Sequence, residues 1–217
     1  MATIIQPPPI ERISHGGGGN WRNIPATGQR RAKDSSPPPA STGIWVALAS
    51  IAMTFAAFSS ALIVRQGSSN DWHHFTLPPI LYLNSLIIIA SSGTLEAAKK
   101  RITSFMAASK THEGAPATQL YATLLLGLLF VAGQTYAWLQ LKSQGFGLAS
   151  NVSYSFFYVL TAAHALHVIG GLGGLIRVIV KLNNATLKRS TLNATSLYWH
   201  FMGALWLYLL LLLWMKL

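Results

Sequence analysis

At 217 residues the chain has room for one domain or two small ones. It is 51% hydrophobic and only 10% charged. A soluble domain carries about 25% charged residues, so this composition excludes an ordinary water-soluble globule, and the absence of cysteine excludes disulfide frameworks, iron–sulfur clusters, thiolate zinc sites and cysteine nucleophiles. The net charge of +11 would suggest a nucleic-acid partner on a soluble protein, but a membrane chain gathers such an excess in its loops, where it sets orientation.

The first 42 residues read as an irregular basic tail: prolines at 7–9 and 37–39, glycines at 16–19, scattered arginines, and no stretch able to bury a core. No apolar run follows the N-terminus, so a secretory signal peptide is not expected, and the Gly and Pro runs fit an amphipathic organellar targeting peptide poorly. Residues 43–217 form the predicted membrane domain.

Five windows lack Lys, Arg, Asp and Glu: 43–64, 75–95, 117–141, 152–176 and 190–215. Each has the roughly 20 residues a helix needs to cross a hydrocarbon layer of about 30 Å. Strict alternation is missing, which argues against a membrane barrel, and backbone groups in lipid must then be satisfied within each segment. The prediction is an all-α integral membrane bundle of five transmembrane helices, at about 43–65, 75–98, 117–141, 152–180 and 194–215.

The basic residues alternate sides. Thirteen Lys and Arg fall in the tail and in the segments after the second and fourth windows, against only Arg65, Lys142 and Lys216 on the other side. The positive-inside rule puts the N-terminus in the cytoplasm and the C-terminus outside. That accounts for the charge without nucleic acid. Trp45 and Trp199 near one membrane surface, and Trp72, Trp138 and Trp214 near the other, read as headgroup anchors.

Four ionisable groups fall within or at the edge of the windows: Glu96, His164, His167 and His200. Such residues are costly in lipid and face protein or water. His164 and His167 share a helix face that continues through Gly170, Gly171 and Gly174, where Gly170 and Gly174 form a small-xxx-small packing pair. His164, His167 and His200 could hold a metal or haem; the plainer reading is a set of imidazoles hydrogen-bonding across a tight helix contact, since nothing in the spacing specifies a metal. Glu96 and His200 fall at similar depth, so they could form a proton-relay pair; equally, Glu96 could sit at headgroup level beside Lys99 or Lys100. Gln134, Thr135, Tyr136 and Gln140 on the third helix are polar but uncharged, suited to joining helices or a partner subunit. No phosphate loop, nucleophile elbow or catalytic carboxylate pair is present.

Four stretches, in order, carry a resemblance: Gly43-Ile-Trp-Val-Ala-Leu-Ala-Ser50 with Met53 and Phe55; Tyr82-Leu-Asn-Ser-Leu86 and Ala90-Ser-Ser-Gly-Thr-Leu-Glu96; Ser155 through His164-Ala-Leu-His167-Val-Ile-Gly-Gly171; and Tyr198-Trp-His-Phe-Met-Gly-Ala-Leu-Trp206. Together they resemble subunit III of the haem-copper terminal oxidases (cytochrome c oxidase), in its five-helix bacterial form, over roughly residues 41–217. The resemblance implies an accessory subunit without redox centres or metal of its own. It packs against subunit I, with subunit II and small subunits as further partners, binds phospholipid in a cleft, and supports proton uptake by an enzyme of the aerobic respiratory chain that reduces oxygen. Haem and copper would belong to partner subunits, and the location would be the bacterial plasma membrane. Catalytic residues are not expected in this chain. Glu96, His164, His167 and His200 match the family's polar set, with structural, lipid or proton-related roles, while Gly170, Gly171 and Gly174 serve packing. Two positions depart from the family pattern by lacking an acid: Ile51 and Gly203. The donor could be cytochrome c or a quinol; a subunit of a nitric oxide reductase or a stand-alone transporter are the other readings.

Overall fold

The computed structural model describes residues 39–68, 78–108, 117–147 and 151–216. The tail up to residue 38, Trp72 and Lys110 lie outside the described residues. Five helices follow one another: α1 (Pro39–Ser68), α2 (Ile80–Ala108), α3 (Thr118–Ser143), α4 (Val152–Asn183) and α5 (Arg189–Lys216). All five are long and apolar enough to span a membrane. At 26 to 32 residues each, and about 1.5 Å per residue, they reach roughly 39–48 Å and so extend past the hydrocarbon into the headgroup layers.

Those extensions explain where the helices differ from the charge-free windows. α1 begins at Pro39, inside the stretch read as tail; proline suits a first helical turn because its missing N–H has no intrahelical acceptor there. α2 begins at Ile80, just after Pro78 and Pro79, whose carbonyls accept from the amides of Leu81 and Tyr82. It then runs on through Lys99, Lys100 and Arg101 to Ala108. A charge marks the edge of the lipid rather than the end of the helix, and Ala, Lys and Arg are all good helix formers.

The defined helix ends have local causes. Asn151, extended at φ −160°, caps α4 by accepting from the Ser153 amide at 3.0 Å. α3 closes through Gly145 at φ +87°, with the Phe146 amide bonded to the Leu141 carbonyl and that of Gly145 to the Lys142 carbonyl. This is the Schellman pattern, in which a left-handed residue lets two terminal carbonyls be satisfied. α4 closes the same way through Thr186 to Lys181 and Ala185 to Leu182, but the left-handed position at φ 54° is occupied by Ala185.

α2 and α3 form the most extensive pair, α5 touches α1, α2 and α4, and α1 lies at the periphery against α5 with slight contact to α4. Links at both ends of the bundle hold the antiparallel order. At the strongly basic end Arg189 Nη2 donates to the Thr103 carbonyl at 3.4 Å and Asn183 Nδ2 to Tyr121 Oη at 3.2 Å. At the other end Gln66 Nε2 donates to the Lys216 carbonyl at 3.3 Å. The core is aromatic and aliphatic, with Phe55, Phe130, Phe157, Trp199 and Trp206 fully buried.

Trp199 is therefore not a headgroup anchor as its sequence position suggests. It is only 1% exposed, because it faces inward from α5 onto Ser91, Gly127 and Gly171. Trp45 and Trp214 are largely exposed, as anchors require.

Candidate functional site

The interior polar side chains tie helices together. Trp199 Nε1 on α5 donates to Ser91 Oγ on α2 at 3.1 Å, and Ser91 Oγ reaches the Thr123 carbonyl on α3 at 3.4 Å. Thr94 and Thr123 share a hydroxyl contact of 2.9 Å beside it. Trp206 Nε1 donates to Ser85 Oγ at 3.0 Å, again joining α5 to α2. Trp138 Nε1 donates to Thr161 Oγ1 at 3.0 Å, joining α3 to α4. In each tie an indole N–H, buried for Trp199 and Trp206 and half-buried for Trp138, meets a hydroxyl that also donates to a backbone carbonyl. Thr161 does so to Phe157 at 2.6 Å and Ser85 to Leu81 at 3.0 Å.

Glycines admit the large rings. A methyl group on Gly127 would meet Trp199 and Leu172 at 2.7 Å, one on Gly171 would meet Tyr198 at 3.1 Å and Trp199 at 3.2 Å, and one on Gly133 would overlap the Asn84 amide. Gly170 and Gly174 lie beside the same contact, but a methyl group there would find ordinary distances of 3.7 Å to Tyr198 Oη and 3.6 Å to Thr195. The sequence pointed to the α4 glycines; Gly127 and Gly133, lone glycines in the leucine-rich α3, carried no motif to single them out.

The four ionisable groups separate into two places. His164 is fully buried, its ring 5.9 Å from Phe130, 5.2 Å from Trp206 and 6.4 Å from Phe55. Neither of its ring nitrogens has a hydrogen-bond partner among the described residues. His167 donates from Nδ1 to the Ala163 carbonyl of its own helix at 2.7 Å, with its ring 5.7 Å from Phe55. Across this face Tyr198 donates to the His167 carbonyl at 2.9 Å. Neither imidazole makes a hydrogen bond across helices among the described residues; both are packed against rings.

Glu96 and His200 do meet. Glu96 Oε2 lies 3.6 Å from His200 Nε2 and 3.6 Å from Lys99 Nζ, and all three side chains are about one-third exposed. The carboxylate thus meets His200 and, of the two lysines named from the sequence, Lys99. His200 is separated from the pair His164 and His167, and among the described residues no three His, Asp or Glu side chains converge as a metal would need.

Five membrane-length helices, braced internally by indole–hydroxyl ties at motif positions, are matched over residues 44–216 by the family model for cytochrome c oxidase subunit III. The chain belongs to that family. It is 30% identical over 190 residues to a probable cytochrome c oxidase subunit 3 of Nocardia farcinica, covering 82% of this chain and 89% of the relative. It is 31% identical over 182 residues to a probable cytochrome c oxidase subunit 3 of Mycobacterium tuberculosis, with 79% and 85% covered. The cytochrome c oxidase subunit 3 of Thermostichus vulcanus is 28% identical over 178 residues, with 79% and 84% covered.

Ile51 and Gly203, the two positions read from the sequence as lacking an acid, occupy different settings. Ile51 packs at the rim of the core. Gly203 is buried where α5 approaches α2, and a methyl group there would meet Ser92 Oγ at 3.3 Å. Neither position brings a carboxylate into the bundle.

Proposed function

We infer that this chain braces the catalytic part of its oxidase and carries out no redox chemistry itself. As a subunit III it is an accessory subunit of a haem-copper oxidase, a multi-pass membrane protein that works in complex with other oxidase subunits. The observation that carries the bracing role is the use of its interior polarity. Ser85, Ser91, Thr161, Trp138, Trp199 and Trp206 are committed to holding α2, α3, α4 and α5 to one another. The chain's own donors do not fit haem or copper: His164 faces Phe130 and Trp206, and His167 is bonded to its own helix. In this reading the haem and copper are held by partner subunits.

Subunit I is the proposed main contact, with subunit II and small subunits beyond it. Exposed leucines along α3 (Leu125, Leu128, Leu129, Leu139) and the peripheral α1 offer apolar surface for such a neighbour and for lipid. A groove of about 300 Å³ between α1, α4 and α5, lined by Ile44, Gly170, Gly174, Thr195 and Tyr198, supports the binding of a phospholipid chain. Glu96 with Lys99 and His200 is assigned a polar contact at the membrane surface, and His164 and His167 a packing role. The excess of Lys and Arg at one end supports a cytoplasmic N-terminus in a bacterial plasma membrane. Cytochrome c is the proposed donor, as in the names of the relatives.

Purification of the tagged chain in mild detergent tests this. It should bring down haem absorbance and a subunit with a copper-binding domain, and the preparation should oxidise reduced cytochrome c. Oxidation of quinol alone would move the chain to a quinol oxidase. A chain that elutes alone and free of haem from every mild detergent would remove the bracing role.

A further inference from the structure

Three core side chains have both of their polar atoms without a hydrogen-bond partner among the described residues: Asn84, Gln134 and His164. They are 0%, 1% and 0% exposed. They come from α2, α3 and α4, yet they share one layer of the bundle. Gln134 lies on the inward stripe of α3, one turn from Phe130 and one turn from Trp138. Phe130 packs on His164 at 5.9 Å, and Trp138 is bonded to Thr161, one turn before His164 on α4. Gln134 therefore lies opposite the turn that carries Thr161 and His164. On its other flank, Gly133 lies so close to the Asn84 amide that a methyl group would overlap it. Ser85, beside Asn84 in sequence, holds Trp206, whose ring is 5.2 Å from His164. The chain of contacts closes on itself around Gln134.

We propose that this layer is an internal hydration site: one or two water molecules, centred on Gln134, bridge it to Asn84 and to His164. An amide needs both a donor and an acceptor, and so does an imidazole. A guest that serves all three must be small and must donate and accept at once, which water does. The surrounding rings of Phe55, Phe130 and Trp206 supply no counter-charge for an ionic guest. Glu96, the one acid among the described residues, is engaged with Lys99 and His200. Six polar atoms left dry in a lipid-embedded core would weaken it, whereas buried water with two to four polar partners is a normal structural component. The consequence is a register lock: sliding α3 by one residue would carry Gln134 out of the layer.

The sign of a stability change separates a wet layer from a dry one. Gln134→Met keeps the length of the side chain and removes its hydrogen bonding, and Asn84→Leu does the same for Asn84. With water in place, either change strands the remaining partners and lowers the thermal midpoint of the full-length chain in its complex, by about 2–8 °C. With a dry layer, either change removes orphaned atoms and raises the midpoint. A water-resolving cryo-electron microscopy map of the unaltered complex decides even where a variant fails to insert. Density is expected within about 3 Å of Gln134 and of Asn84 or His164. A raised midpoint, or a map in which the Gln134 and Asn84 amides bond directly with no peak beside His164, overturns the proposal.

Discussion

Trp199 occupies the space that Gly127 leaves open: a methyl group on Gly127 would approach the outer edge of the indole to 2.7 Å. The indole cannot retreat, because its nitrogen is held by Ser91 and its other edge lies against Gly171. Gly127→Ala should therefore destabilise the bundle by about 1–3 kcal/mol, the usual result of overpacking a filled core. The comparison is Gly93→Ala on the exposed face of α2, where nothing lies within 4 Å of the added methyl and the change should stay within about 1 kcal/mol. Thermal unfolding of the two variants, followed by retention in the detergent-solubilised complex, checks the difference. Equal midpoints would show that the indole is free to move.

The Ser91 hydroxyl has a separate, measurable share. Ser91→Ala leaves the buried Trp199 N–H without its acceptor, at a cost of about 1–3 kcal/mol. Trp199→Phe removes the donor together with part of the ring. Once the donor is gone, the serine change should cost less, so the double variant should be more stable than the sum of the two single losses. Additive losses in a double-mutant cycle would dissolve the tie.

Ala185 ends α4 in a left-handed conformation at φ 54°, a position that glycine occupies without steric cost. It is exposed, so no packing is lost on its replacement. Ala185→Gly is expected to stabilise the chain by up to about 1 kcal/mol, read as a rise in thermal midpoint. A fall would mean that the greater entropy of glycine in the unfolded chain outweighs the strain relieved.

Glu96 lies between Lys99 and His200, with about a third of each side chain exposed. Contacts this accessible are screened and contribute less than about 1 kcal/mol. Glu96→Gln should leave the midpoint, the turnover and the proton stoichiometry of the assembled oxidase close to those of the parent. Slower turnover with an altered pH profile would instead give the pair a part in proton delivery.

The spans, and through the ordered motifs the family, were legible without coordinates. A charge in hydrocarbon is costly whatever the neighbouring helices do, so the five gaps in Lys, Arg, Asp and Glu reported five crossings. The Glu96–His200 contact was legible for a related reason: the membrane sets depth, and two residues at the same depth on neighbouring helices can meet.

The inward faces were not legible. Lipid is as apolar as the core, so leucines face both, and period alone does not separate Leu125 on the outside from Leu120 on the inside. The same indistinctness made Trp199 look like a surface anchor and left Gly127 and Gly133 unmarked. What sequence determined by itself is how many times the chain crosses the membrane, because that depends on each segment's own transfer from water to lipid. Only the tertiary structure decided which rings, glycines and hydroxyls meet inside, because that depends on the rotation and register of five helices against one another, and solvation by lipid constrains neither.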